Sequence, residues 1–160
     1  MKRLTTLGLA AALTAASFVT IAAEPAPPSP EQVANNAIAT RQGVFKLIGY
    51  NFGPVGGMMR NRQPFDAALV ARNAGRIEVL AGMIPELFQN DTRKAGTAKT
   101  AALDAVWTGQ ADFKAKADDL VKASAALAAA AKGGDQKATM DAAAAVGKTC
   151  GNCHDTYRAK

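Results

Sequence analysis

The stretch DQKATMDAAAAVGKTCGNCHDTYRAK, residues 135–160, carries both cysteines and the single histidine of the chain. Cys150, Cys153 and His154 fall within five residues of one another. Asp135 follows Gly133-Gly134 and suits a helix N-cap, and the alanine-rich run behind it favours helix. Met140, Ala143, Val146, Gly147, Cys150 and Cys153 recur at spacings of three and four. The spacing predicts an amphipathic helix from about Gln136 to Arg158. On such a helix positions 150, 153 and 154 share one face. The reactive side chains therefore stand near the C-terminal end of a helix.

Working back from this helix, Gly133-Gly134 closes a preceding one. That helix is expected from about Ala111 to Lys132, with Phe113, Ala117, Leu120, Val121, Ser124, Leu127 and Ala128 as its stripe. TAALDAVWTGQ, residues 100–110, holds a short helical turn at most. QNDTRKAG, residues 89–96, is polar and reads as the longest loop. A second helix is expected to begin near Pro64, with Pro85 ending or kinking it. The first begins at Ser29-Pro30-Glu31-Gln32, which supplies an N-cap, a proline at the first helical position and a glutamine three after the serine. Its apolar positions run Val33, Ala37, Ile38, Val44, Phe45, Ile48, Phe52 and Val55, while Pro54, Gly56 and Gly57 loosen its end. No stretch alternates with period two for long enough to make a strand. Four amphipathic helices with mostly short connections predict an all-α, antiparallel four-helix bundle. The alanine-rich stripes of the last two helices leave less side-chain volume than a leucine-rich core.

The chain opens with Met1-Lys2-Arg3, an uncharged apolar and small-residue run from Leu4 to Val19, then Thr20-Ile21-Ala22-Ala23 before Glu24-Pro25. This is the layout of a cleaved secretory signal peptide over residues 1–23. The apolar run is shorter than a membrane span and is diluted by Thr, Ser and Gly. Removing residues 1–23 from the 160 leaves 137, residues 24–160, a single domain's length. The loss of Lys2 and Arg3 takes the formal net charge from +6 to +4. No run of Lys and Arg suggests nucleic acid, and no later segment suggests a membrane partner.

Two cysteines in an exported chain ordinarily suggest a disulfide. A bridge across two intervening residues closes a tiny loop and restrains almost no chain entropy, so these thiols are there for chemistry. A thiol redox pair prefers a thioredoxin-like βαβ setting and the N-terminal end of a helix. A zinc site needs a fourth ligand, and no other Cys or His exists. Cys-x-x-Cys-His is the c-type haem attachment motif. From one helix face, two sulfurs reach the two vinyl groups of a porphyrin, and the imidazole reaches the iron from the same side. Covalent haem also fills the missing core volume, and its attachment outside the bacterial cytoplasm agrees with export to the periplasm.

A helical bundle with this motif near its C-terminus resembles the class II c-type cytochromes, and most closely the cytochrome c′ family. TRQGVFKLIGYNFG resembles the family's first helix, QPFDAALVARNAGRIEVLAGMIPELF its second, VWTGQADFKAK its tryptophan-containing approach to the third, and VGKTCGNCHDTYRAK its haem-binding helix. The resemblance implies one covalent haem c, with Cys150 and Cys153 as thioether bonds and His154 as the axial iron ligand. It implies Arg41 near the haem propionates and Arg158 on the proximal side, one helical turn beyond His154. It places Phe45 over the open side of the iron, where low-spin relatives carry methionine. The composition alone makes Phe45 a core aromatic on an apolar stripe. With phenylalanine there, the expectation is a high-spin, five-coordinate iron in a crowded apolar pocket without a good hydrogen-bond donor. Small neutral gases such as nitric oxide and carbon monoxide would enter it. The resemblance further implies gas binding or electron transfer with redox partner proteins, no enzymatic turnover, and homodimers through the first two helices. The competing expectation is a low-spin cytochrome with a methionine ligand from Met58, Met59, Met83 or Met140. Met83 and Met140 sit on apolar stripes, where methionine usually fills core space.

Overall fold

The structure, a computed structural model, describes residues 26–160, so the expected signal peptide over 1–23 lies outside the described residues. Five helices follow in order: α1 (Pro30–Met59), α2 (Ala67–Leu87), α3 (Ala105–Thr108), α4 (Gln110–Lys132) and α5 (Gln136–Tyr157). The four long ones form the expected bundle. The only pairing of extended backbone among the described residues is an isolated antiparallel bridge between Ala102 and Arg158.

Each long helix except α4 starts on a side-chain cap. Ser29 Oγ accepts from Gln32 N at 3.2 Å while Gln32 Oε1 accepts from Ser29 N at 2.7 Å, a reciprocal box with Pro30 at the first helical position. Asp66 Oδ1 accepts from Leu69 N, and Asp135 Oδ1 from Ala138 N. α1 runs past the point where the sequence suggested loosening. Pro54 lies inside it, preceded by Gly53, which has no Cβ to meet the proline ring. Gly56 and Gly57 are packed under folded-back side chains: a Cβ would lie 3.2 Å from Arg60 Nη1 and 3.3 Å from Gln63 Oε1 respectively. The helix ends at Arg60, with Asn61 in the left-handed region at φ 54°, a conformation asparagine tolerates. α2 likewise continues two residues beyond Pro85.

The core comprises apolar side chains from all four long helices, including Val55, Val70, Ile77, Leu127 and Val146, each at most 1% exposed. α2 packs extensively on α1 and α4, and α4 on α5, whereas α1 and α5 meet over a short stretch only. The connection from Phe88 to Asp104 is longer than the expected loop and lies along α1. Asn35 Oδ1 accepts from the backbone N–H groups of Thr97 and Ala98, and Gln42 Nε2 donates to Lys99 O at 2.8 Å. Its far end pairs with the end of the chain, Leu103 N to Tyr157 O at 2.9 Å and Ala159 N to Ala101 O at 2.8 Å. This segment closes one side of the gap between α1 and α5.

Candidate haem site

That gap is a cavity of about 520 Å³, within the roughly 300–1,000 Å³ range of small-molecule and cofactor sites. α1 contributes Phe45, Ile48 and Phe52, α4 Phe113, Ala117 and Leu120, and α5 Cys150, Cys153 and His154. Thr100, Ala101 and Ala102 of the long connection complete the wall. All six residues singled out in the sequence border this one cavity: Arg41, Phe45, Cys150, Cys153, His154 and Arg158.

Cys150 and Cys153 are unpaired and half-buried, and burial pushes both thiols up from their ordinary pKa. The His154 imidazole is shifted down, first by burial and then by the nearby Arg158 charge. A neutral ring retains the lone pair a metal ligand needs. Among the described residues no group of three or more His, Cys, Asp or Glu is arranged to hold a bare metal ion. The cavity fits haem by donor set and by charge. Its wall offers two thiols and one imidazole in the attachment spacing. The charged side chains on it are Arg41, Lys46, Lys116 and Arg158, with no carboxylate among them, which suits the two propionates.

Three expectations need correction. Phe45 is not a buried core aromatic: it is 38% exposed, because its position on α1 faces the cavity, and Phe88 is its one aromatic neighbour, at 6.3 Å between centroids. The α1 wall is also not purely apolar, since Arg41, Gln42 and Lys46 share it. The Gln42 amide donates to Lys99 O, and the guanidinium of Arg41 is engaged elsewhere, as follows. Arg158 does not continue the helix. α5 ends at Tyr157 and Arg158 is extended (φ −123°, ψ 131°), held by the bridge to Ala102, although its N–H still donates to His154 O at 3.2 Å.

Arg41 is 4% exposed and serves as a structural node. Nε donates to Leu87 O, Nη1 to Thr92 Oγ1 and Nη2 to Asn90 O, at 2.7–2.8 Å. Its guanidinium carbon stands 4.7 Å from the Phe88 ring centroid and 5.6 Å from that of Trp107. Burial pulls its pKa down and Asp91 partly offsets this. These three bonds leave two N–H groups of the guanidinium for another acceptor.

No methionine borders the cavity. Met58 is buried at the far end of α1, beside a separate hollow lined by Asn61, Arg62 and Phe65. Met59 and Met83 are exposed, so the expected core role of Met83 does not hold, and Met140 packs against the core. Sequence reasoning missed Lys46, Lys116 and Tyr157 as cavity residues. For Tyr157 a signal was present: it lies four after Cys153 and seven after Cys150, on the same helix face.

The cytochrome C′ family model matches residues 36–158. A relative, cytochrome c-554 of Cereibacter sphaeroides, is 36% identical over 124 residues, 77% of this chain and 92% of the relative. The solved structure of cytochrome c prime from Shewanella frigidimarina superposes with a TM-score of 0.73 at 38% identity, covering 79% of this chain and 97% of that one. A nitric oxide complex of a variant cytochrome c prime from Alcaligenes xylosoxidans superposes at 0.70 with 28% identity, covering 79% and 97%.

Proposed function

Because the chain belongs to the cytochrome c′ family, we propose that it works as an exported cytochrome with a high-spin, five-coordinate iron that binds small neutral gases, transfers electrons, or does both. Haem c is the cofactor. When bound, it supplies an iron centre that changes redox state and accepts a diatomic ligand at an open position. Cys150 and Cys153 hold it covalently and His154 presents its imidazole to the iron. Arg41, already fixed by Leu87, Asn90 and Thr92, directs its remaining N–H groups to a propionate. Arg158 adds positive charge beside the imidazole, in keeping with its effect on His154.

The observation that carries this reading is the composition of the cavity wall. It offers the phenyl ring of Phe45 and no methionine. A phenyl ring has no lone pair for iron, so Phe45 leaves the sixth position open to a small diatomic ligand. The nitric oxide held by the Alcaligenes relative supports the same ligand class. The signal-like segment at 1–23 supports export to the periplasm, and no described helix is long and apolar enough to cross a membrane. Pairing of two copies through α1 and α2 is supported by large apolar side chains left exposed there: Leu47 and Tyr50 on α1, Val79 and Met83 on α2.

Titration of the reduced protein with carbon monoxide tests the open position. One equivalent per haem is expected to bind with a clear change in the visible spectrum. Reduced protein that takes up no carbon monoxide would mean a side chain holds the sixth position.

A further inference from the structure

Tyr157, three residues beyond His154, is 5% exposed and joins three elements. Its hydroxyl donates to Asp112 Oδ2 at 2.7 Å, in the first turn of α4, and stands 3.4 Å from Gly109 O. Its ring meets Phe113 edge-on, with centroids 5.1 Å apart and planes at 85°. Its carbonyl accepts from Leu103 N at 2.9 Å. Gly109 is fitted to this ring, since a Cβ there would lie 3.3 Å from the Tyr157 hydroxyl. The His154 imidazole, by contrast, makes no hydrogen bond to the described residues. Histidines that bind metals ordinarily have the second ring nitrogen fixed by a carboxylate or carbonyl, which sets the ring's direction. Here no such group is bonded to the ring, so its direction depends on how firmly the last turn of α5 is held.

We propose that Tyr157, through its hydrogen bond to Asp112, is a positioning residue that fixes the direction of the His154 imidazole toward the haem iron. The proposal rests on the reading of His154 as iron ligand. Residues 154–157 span a single helical turn, and Arg158 N donates to His154 O, so the end of the helix moves as one piece. Anchoring Tyr157 on α4 holds that piece against the cavity from one side, and the Leu103 bond holds it from the other. Burial and the Asp112 carboxylate push the Tyr157 hydroxyl up to about 12, so it remains a donor throughout the physiological range.

The test is the iron–histidine stretching band of the reduced, haem-loaded protein, measured by resonance Raman for the unsubstituted chain and for Tyr157→Phe, Asp112→Ala and Asp112→Asn. Asp112 is exposed, so its variants keep the fold and guard against an unstable Tyr157→Phe. Tyr157→Phe and Asp112→Ala are expected to move the band to lower frequency and broaden it, and the double variant to move it no further. Asp112→Asn, whose amide oxygen still accepts from the hydroxyl, is expected to keep the original band. An unchanged band in Tyr157→Phe and Asp112→Ala, even with a lowered melting temperature, would reduce the tether to packing and overturn the proposal. A shift in Asp112→Asn as large as in Asp112→Ala would assign the effect to charge and overturn it as well. Haem that extracts freely from the unsubstituted protein would instead sink the reading of the attachment motif.

Discussion

Phe45 and Arg41 lie one helical turn apart on α1 and border the same cavity, yet opposite physics holds them. Phe45 borders the cavity and is only partly covered by protein. A fully buried phenylalanine costs about 3–5 kcal/mol when cut to alanine. At 38% exposure the cost for Phe45→Ala falls to about 1–2 kcal/mol. Stopped-flow carbon monoxide binding should nevertheless be faster in that variant, because on the proposed reading the ring narrows access to the iron. Phe45→Met places a thioether at the same point and should move the ferrous spectrum toward low spin. Arg41 is the reverse case, a buried cation with three protein acceptors. Arg41→Ala leaves the Leu87 carbonyl and the Thr92 hydroxyl without their donor, while Asn90 O keeps the Trp107 indole N–H, and should cost about 2–4 kcal/mol in urea unfolding of the haem-loaded protein. Arg41→Lys should recover little of it, since a single ammonium cannot match the guanidinium's separated donors. Tyr157 sets an alkaline limit. Its hydroxyl titrates near 12 in the fold against an ordinary 10.0. The unfolded chain therefore loses its proton first, so the contribution is whole below pH 10.0 and is lost as pH rises toward 12. Tyr157→Phe should flatten that part of the stability profile.

The helices show which local signals survive in three dimensions. The caps at Ser29 and Asp135 and the Gly133-Gly134 stop were legible because each is a short-range hydrogen-bond or backbone requirement. Pro54 was less so. Proline removes one helical bond, but the consequence depends on tertiary packing, and here Gln63 Nε2 donates to Pro54 O while Gly56 and Gly57 accept side chains folded over them. The segment from Phe88 to Asp104 read as a loop over only part of its length. Its path along α1 is set by partners far away in sequence, such as Asn35, Gln42 and Tyr157, which no local pattern announces. The same holds for Gly109, whose packing against the Tyr157 ring no local pattern announces. A methyl there would lie 3.1 Å from Ala105 O and 3.3 Å from the Tyr157 hydroxyl. Gly109→Ala should destabilise the fold by about 1–3 kcal/mol in urea unfolding, and it should weaken the seating of the end of α5 on α4.

At the scale of the molecule, the bundle is packed along α2 and α4 and parted between α1 and α5. The motif revealed what the gap receives, because Cys-x-x-Cys-His specifies a chemistry whatever surrounds it. The exposure of Phe45 and the basic side chains Lys46 and Lys116 were not legible, because they depend on how far two helices stand apart. A bundle that lines a cavity of about 520 Å³ with its own apolar residues should depend on haem for tertiary order. Chain prepared without haem, for example with Cys150 and Cys153 replaced by alanine, should lose near-ultraviolet circular dichroism and melt well below the loaded protein. Equal melting temperatures would contradict this. The central claim is that the iron has one protein ligand, His154, and an open position facing Phe45. It is tested most directly by the visible spectrum of the unsubstituted ferrous protein at neutral pH, with no ligand added. The account predicts the broad, unsplit bands of a five-coordinate, high-spin haem c. A sharp, split pair of α and β bands would contradict it, because a side chain would then already occupy the sixth position.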